Sequence, residues 1–128
     1  MNNPTHNPVR WFEIYVSDME RALHFYRSVF QQPIEKMDEE AGEGEIYLFT
    51  QRNERYGICG TLVKHPKCSP GRGGTMVYFE CEDCALEVGC TVIYGGRVLQ
   101  DKKPIGKFGY MAIIEDSEGN VIGLHSML

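Results

Sequence analysis

No uninterrupted apolar run in this chain approaches the roughly 20 residues that cross a bilayer. The polar start Met1-Asn2-Asn3-Pro4 also lacks the apolar segment of a signal peptide. A cytoplasmic protein with no membrane partner is the expectation. An excess of positive charge is missing too, since 13 Lys and Arg face 18 Asp and Glu for a net charge of −5. A nucleic-acid binder normally shows a basic face, so no nucleic-acid partner is expected. Cysteine is odd in number, five in all, and nothing suggests export, which argues against the disulfide framework of a small secreted domain. Cys59, Cys81 and Cys90 read as reduced thiols acting as small hydrophobes.

What is present is ordinary globular composition. The 128 residues are 42% hydrophobic and 24% charged, enough for one domain that buries roughly two-thirds of its unfolded surface without a covalent staple. One spacing invites a metal reading. His65-Pro66-Lys67-Cys68 and Cys81-Glu82-Asp83-Cys84 read H-x2-C…C-x2-C, which has the form of a structural zinc site. The first pair, however, lies in a Pro/Gly linker, and the second starts at the end of an alternating strand. Buried or exposed thiols without metal are the expected state.

The chain repeats its own order of elements. Arg10 to Asp18 alternates as a strand, with Phe12, Ile14 and Val16 on one face. Ser17-Asp18-Met19-Glu20 has the form of a capping box opening a helix with Ser17 as the acceptor. Met19, Ala22, Leu23, Tyr26, Val29 and Phe30 fall at helical spacing, and His24 lies on the solvent side. Gln31-Gln32-Pro33 ends that helix. Ile34–Asp38, Ile46–Gln51 and Gly57–Lys64 are expected strands, with a polar turn over Glu39–Glu45. His65–Gly74 is a linker. Thr75–Cys81 then starts a second strand, helix and three strands: a helix over Cys84–Tyr94, weakened by Gly89 and Thr91-Val92-Ile93, and strands over Arg97–Asp101, Gly109–Glu115 and Asn120–Ser126. The fold class is α+β. It is built from two βαβββ modules, 8–64 and 75–128, joined by the linker 65–74 in a single domain over 8–128.

Phe12-Glu13-Ile14-Tyr15-Val16-Ser17-Asp18, followed by Arg21-Ala22, Phe25-Tyr26 and Val29-Phe30, resembles the opening module of the vicinal oxygen chelate superfamily. That superfamily includes glyoxalases, bleomycin-resistance proteins and extradiol dioxygenases. The ending Glu115-Asp116-Ser117-Glu118-Gly119-Asn120-Val121-Ile122-Gly123-Leu124 is similar to its closing D-P-x-G-N-x-x-x-L signature, with Ser117 in place of proline. The resemblance implies a curled mixed sheet enclosing a central cup, with helices outside, and a homodimer. It also implies four inward positions for a divalent ion, which fall on Trp11, near Gly60, on Met76 and on Gly123. Those residue types cannot build the oxygen and nitrogen shell of such an ion. No metal and no cofactor are therefore expected.

Strand alternation, set from those four positions, assigns the rest of the cup. With Trp11 inward, Glu13 and Tyr15 follow. With Met76 inward, so do Tyr78 and Glu80, and Gly123 brings in His125. Phe108, in the Gly-rich segment Pro104–Gly109 with Lys107, borders the cup mouth in the resemblance. Each residue has a plainer explanation. A strand glutamate is ordinarily solvated, aromatics usually fill space, His125 is close to the chain end, and His6 reads as an exposed tail. Glu13 nonetheless belongs on the concave side, because Phe12, Ile14 and Val16 suit packing beneath the helix.

The function expected from these readings is metal-free binding of a small aromatic or amphipathic molecule, with Trp11, Tyr15, Met76, Tyr78 and Phe108 as contacts. A glyoxalase-related lyase or isomerase is the alternative, with Glu13, Glu80 and His125 as candidate catalytic groups for proton transfer. A ligand-sensing interaction module is a third reading.

Overall fold

Alternation and caps account for the way each half of the chain begins. β1 (Glu13–Tyr15) places Ile14 in the core and leaves Glu13 and Tyr15 on the opposite face. α1 (Met19–Val29) follows directly, and its first turn is capped by Asp18, whose Oδ1 accepts from the Arg21 backbone N–H at 3.0 Å. The cap is thus one residue later than the Ser17 expected from the sequence, because the Ser17 backbone N–H and hydroxyl are both drawn off by Glu118. α1 is strongly amphipathic. It buries Met19, Ala22, Leu23, Phe25, Tyr26 and Val29 and turns Glu20, Arg21, His24 and Arg27 outward. Each large side chain on that stripe contributes about 1.5–3 kcal/mol of transfer free energy.

The computed structural model describes residues 11–38, 44–50, 54–73 and 75–128. His6, Arg10, most of the expected turn over Glu39–Glu45, Gln51 and Gly74 lie outside the described residues. β2 (Ile34–Lys36), β3 (Glu45–Phe49) and β4 (Thr61–Lys64) complete the first half. The second half repeats it with β5 (Val77–Glu80), α2 (Cys84–Thr91), β6 (Arg97–Pro104), β7 (Tyr110–Glu115) and β8 (Val121–Ser126). A single 3-10 turn over Gly106–Phe108 joins β6 to β7. Asp83 caps α2 through the Ala85 N–H, as Asp18 caps α1. The helix stops at Thr91 rather than continuing to Tyr94. Thr91 sends its hydroxyl back to the Glu87 carbonyl at 2.8 Å, β-branched Val92 and Ile93 follow, and Gly95 turns with φ +99°. β6 is three residues longer than its pattern suggested, carried by pairing to β7 through two register shifts.

Each half forms a four-stranded mixed sheet with the same strand order, β1-β4-β3-β2 and β5-β8-β7-β6. The first-and-last pairs, β1 with β4 and β5 with β8, are parallel, and the others are antiparallel. The two sheets share one core. Phe12, Tyr26, Phe30, Phe49 and Phe79 form a continuous aromatic cluster, with the Phe30 and Phe79 rings stacked at 4.5 Å.

The turn from Asp116 to Asn120 locks the halves together. Gly119 takes φ +86°, which lets the turn close at little cost. The fully buried Tyr26 donates its hydroxyl to Asp116 Oδ2 at 2.6 Å. Burial, then the Asp116 carboxylate, push the Tyr26 phenol well above its usual range. Glu118 accepts from the Asp18 N–H at 2.9 Å and from Arg21 Nε at 2.6 Å. Asn120 Nδ2 donates to the Tyr15 carbonyl at 2.8 Å, and its Oδ1 accepts from the Gly71 N–H at 2.8 Å. One five-residue turn therefore fixes α1, β1 and the linker in a single geometry.

Candidate functional site

The faces of the two sheets turned away from the helices carry the residues of interest, and strand register says which ones are neighbours. In the first sheet, Glu13, Thr61, Leu48 and Glu35 form one row, with Tyr15, Val63 and Ile46 beside it. In the second, Tyr78, Gly123, Ile113 and Gln100 form one row, and Glu80, His125, Met111 and Lys103 the next. Alternation thus places Glu13, Tyr15, Tyr78, Glu80 and His125 on helix-free faces, because Phe12, Ile14, Phe79 and Leu124 are taken by the core.

The proposed catalytic groups separate into two pairs. His125 Nδ1 lies 2.5 Å from Glu80 Oε1, and its Nε2 lies 2.6 Å from the Phe108 carbonyl. Both partners are acceptors, so the ring satisfies both only as a doubly protonated imidazolium. The hydrogen bond to Glu80, then that to Phe108, raise the His125 pKa. On the first sheet, the Tyr15 hydroxyl donates to Glu13 Oε1 at 2.9 Å, and that hydrogen bond lifts the Tyr15 phenol to about 12. No hydrogen bond or ion pair among the described residues joins Glu13 to the Glu80–His125 pair.

A cleft of about 290 Å³ opens at the seam between the sheets. It is bounded by Glu13 and Tyr15 of β1, by linker residues including Gly71 and Arg72, and by Val77 and Val121. Arg72, on its linker side, is paired with Glu115 Oε2 at 2.9 Å, a carboxylate also held by Arg97 at 3.1 Å. The remaining expected contacts stand open to solvent. Trp11 and Met76 are each more than a third exposed, Tyr78 is half exposed, and Phe108 more so.

The positions implied for a divalent ion do not fit one. Gly123 pairs in register with Tyr78, and a Cβ there would stand 2.5 Å from the Tyr78 ring, so the aromatic face lies across the strand where a ligand would project. Gly60 faces the core instead of leaving room in the cup. A Cβ at that position would meet the Phe12 backbone oxygen and ring, and the neighbour on the cup side is Thr61. With Trp11 and Met76, the set supplies no hard donor. The H-x2-C…C-x2-C residues also stay apart. Cys81 and Cys84 are buried at the β5–α2 junction, whereas His65 and Cys68 form a small bridge in the linker, with Cys68 beside the Tyr15 hydroxyl. Among the described residues, no three His, Cys, Asp or Glu side chains gather where they would hold a metal ion. Burial first, and then Glu87, drive the Cys81 thiol far above its usual pKa, which leaves it inert.

Three residues of this region went unnoticed in the sequence. Thr61, 2% exposed and in the row next to Glu13, has a buried hydroxyl without a hydrogen-bond partner among the described residues. Arg72 and Asn120 shape the seam. Only Asn120 carried a signal, as part of the closing turn.

No family model matches the chain, and no curated protein sequence matches it. Solved structures do. An antibiotic-binding protein from Streptomyces sp. CB03234 superposes with a TM-score of 0.67 at 24% identity, covering 97% of this chain and 98% of that one. A glyoxalase/bleomycin resistance protein from the same organism gives 0.65 at 25% identity, covering 91% and 98%. Glyoxalase I from Zea mays gives 0.72 at 18% identity, where 94% of this chain matches 46% of the other.

Proposed function

Because the chain has the fold of the vicinal oxygen chelate superfamily, we propose that it binds a small aromatic or amphipathic molecule on its cup faces without using the superfamily's metal. The observation that carries this reading is the exchange at Gly123, where the Tyr78 ring lies flat over a strand position that would otherwise hold a ligand side chain. An exposed aromatic face of this kind suits a planar ligand. Trp11, Tyr15, Met76 and Phe108 supply further apolar contact, and the antibiotic-binding neighbour supports a binding role. The chain acts as a homodimer in this reading, as the resemblance to the superfamily implies. Sedimentation should then give twice the 14.6 kDa chain mass.

The test is a ligand-observed NMR screen of planar and amphipathic compounds at millimolar concentration, followed by emission of Trp11, the only tryptophan. Hits that shift Trp11 emission and are lost in Tyr78→Ala are expected. A screen without hits overturns the reading.

The 2.5 Å contact between Glu80 and His125 supports a second reading as a proton-transfer enzyme. With both nitrogens engaged, His125 serves there as a hydrogen-bond donor or acid, and Glu13 is the candidate base. Turnover that survives Glu13→Gln removes this mechanism.

A further inference from the structure

The duplication allows the two helices to be compared position by position from their caps. Asp18 and Asp83 hold the same place, so Glu20, Arg21, His24 and Arg27 of the first module correspond to Ala85, Leu86, Gly89 and Val92 of the second, and Ile93 replaces Ser28. On α1 these positions are polar, as a solvated helix face requires. On the second module all five are exposed and all five are apolar, with Leu86, Val92 and Ile93 at 68, 65 and 74% exposure. Val92 keeps helical angles of φ −67° and ψ −38°, which carries the stripe past the end of α2. The one charged residue of α2, Glu87, is turned away from the stripe, with Oε1 buried. Gly89 lies at the centre. It weakens the helix relative to alanine, its φ is not left-handed, and a Cβ there would meet nothing beyond its own helix within 4 Å. Nothing within the chain requires glycine at that place, whereas close approach by a second backbone does.

We infer that this face of α2 packs against the same face of a second copy, the two helices antiparallel about a two-fold axis near Gly89. The inference rests on the homodimer proposed above and names its interface; it does not depend on what the cup holds. The spacing is self-complementary. Leu86 lies three residues before Gly89 and Ile93 four after it, so the axis sets Leu86 of each copy against Ile93 of the other. The facing glycines let the helix axes approach to about 8 Å, the close end of the usual range. Leu86, Val92 and Ile93 together expose on the order of 350 Å² of apolar surface, a patch of the size that marks a contact site. Two such patches bury about 700 Å², and a polar rim of similar extent brings the total above the roughly 1,200 Å² of a specific interface. The stripe offers no charge for an ionic partner to meet, and a copy of itself matches its apolar area.

Sedimentation equilibrium of the full chain from about 5 to about 500 µM tests the interface. The unmodified chain is expected to reach twice its 14.6 kDa mass. Leu86→Lys and Ile93→Glu, each shown by circular dichroism to be folded, should each weaken self-association at least about tenfold, because each places a charge in the apolar centre of the contact. Mixed in equal amounts, the two variants should associate again, to within about threefold of the unmodified chain, because the antiparallel arrangement sets the new ammonium of one against the new carboxylate of the other. A dimer that both variants leave intact overturns the assigned face while the homodimer stands. Weakening without recovery in the mixture overturns the antiparallel two-fold packing. A chain that stays monomeric at the highest concentration overturns this inference and the homodimer together, and leaves the ligand reading to its own screen.

Discussion

Removing the charge from Glu118 should loosen the joint between the two halves of the molecule. Its side chain is fully buried and takes bonds from the Ser17 and Asp18 backbone N–H groups, the Ser17 and Ser117 hydroxyls, and Arg21. Burial alone would raise the pKa of this carboxyl. The Arg21 guanidinium and the two backbone N–H groups outweigh it and bring the pKa down from 4.5 to about 2. A downward shift of that size corresponds to about 3 kcal/mol, reduced to about 2 kcal/mol because Arg21 is half exposed and screened. Because the folded pKa lies below the unfolded one, this stability is fully present above about pH 5. It is lost as pH falls from the unfolded value near 4.5 through the folded value near 2. Asp116, raised by burial, titrates with the opposite sign, so the informative quantity is the difference between unmodified protein and Glu118→Gln. Urea unfolding at pH 7 should show the variant about 2–3 kcal/mol less stable, roughly 6–12 °C in Tm. The gap should close as both proteins are taken toward pH 2. A loss under about 0.5 kcal/mol at pH 7, or a gap independent of pH, would refute the argument.

Two further outcomes follow from the cup. NMR titration should give His125 a pKa above the ordinary 6.5, lowered again in Glu80→Gln; the contribution of the Glu80–His125–Phe108 contacts is complete below the unfolded value and lost as pH rises through the folded one. A His125 pKa at or below 6.5 contradicts the double-donor geometry. Gly123→Ala should cost about 1–3 kcal/mol, because the new methyl meets the Tyr78 ring, and Tyr78→Ala in the same chain should restore most of it. A neutral Gly123→Ala in thermal unfolding would show that the ring does not lie there.

Much of the fold was legible because local pattern and global packing agree. Ile14 and Val16 alternate with solvent-facing neighbours, the α1 stripe has a clean 3.6-residue period, and both strand exits end on a capping aspartate. The duplication then fixed the order of the second half. What the sequence hid were contacts between distant residues. Glu118 looks like a turn residue until the Ser17 and Asp18 N–H groups, about 100 positions away, arrive beside it, and that contact moves the α1 cap from Ser17 to Asp18. Gly60 resembled a cup position by counting, yet parallel pairing sets it beside Phe12 on the core face. The cysteine spacing failed as a metal motif because a strand and a helix start consumed Cys81 and Cys84 as core. Alternation placed Glu13, Tyr15, Tyr78 and Glu80 on the faces of β1 and β5 away from the core, where the structure has them. The Glu80–His125 contact, the separation of Glu13 from it and the unspent Thr61 hydroxyl depend on register and became visible only in three dimensions.

The proposed role of the cup is to take up small molecules without a metal. Elemental analysis of tag-free protein dialysed without chelator, paired with titration of a screening hit before and after chelator, tests it most directly. Less than about a tenth of an equivalent of any transition metal and an unchanged affinity are expected. About one equivalent of nickel, manganese or iron, together with binding lost on chelation, would contradict it.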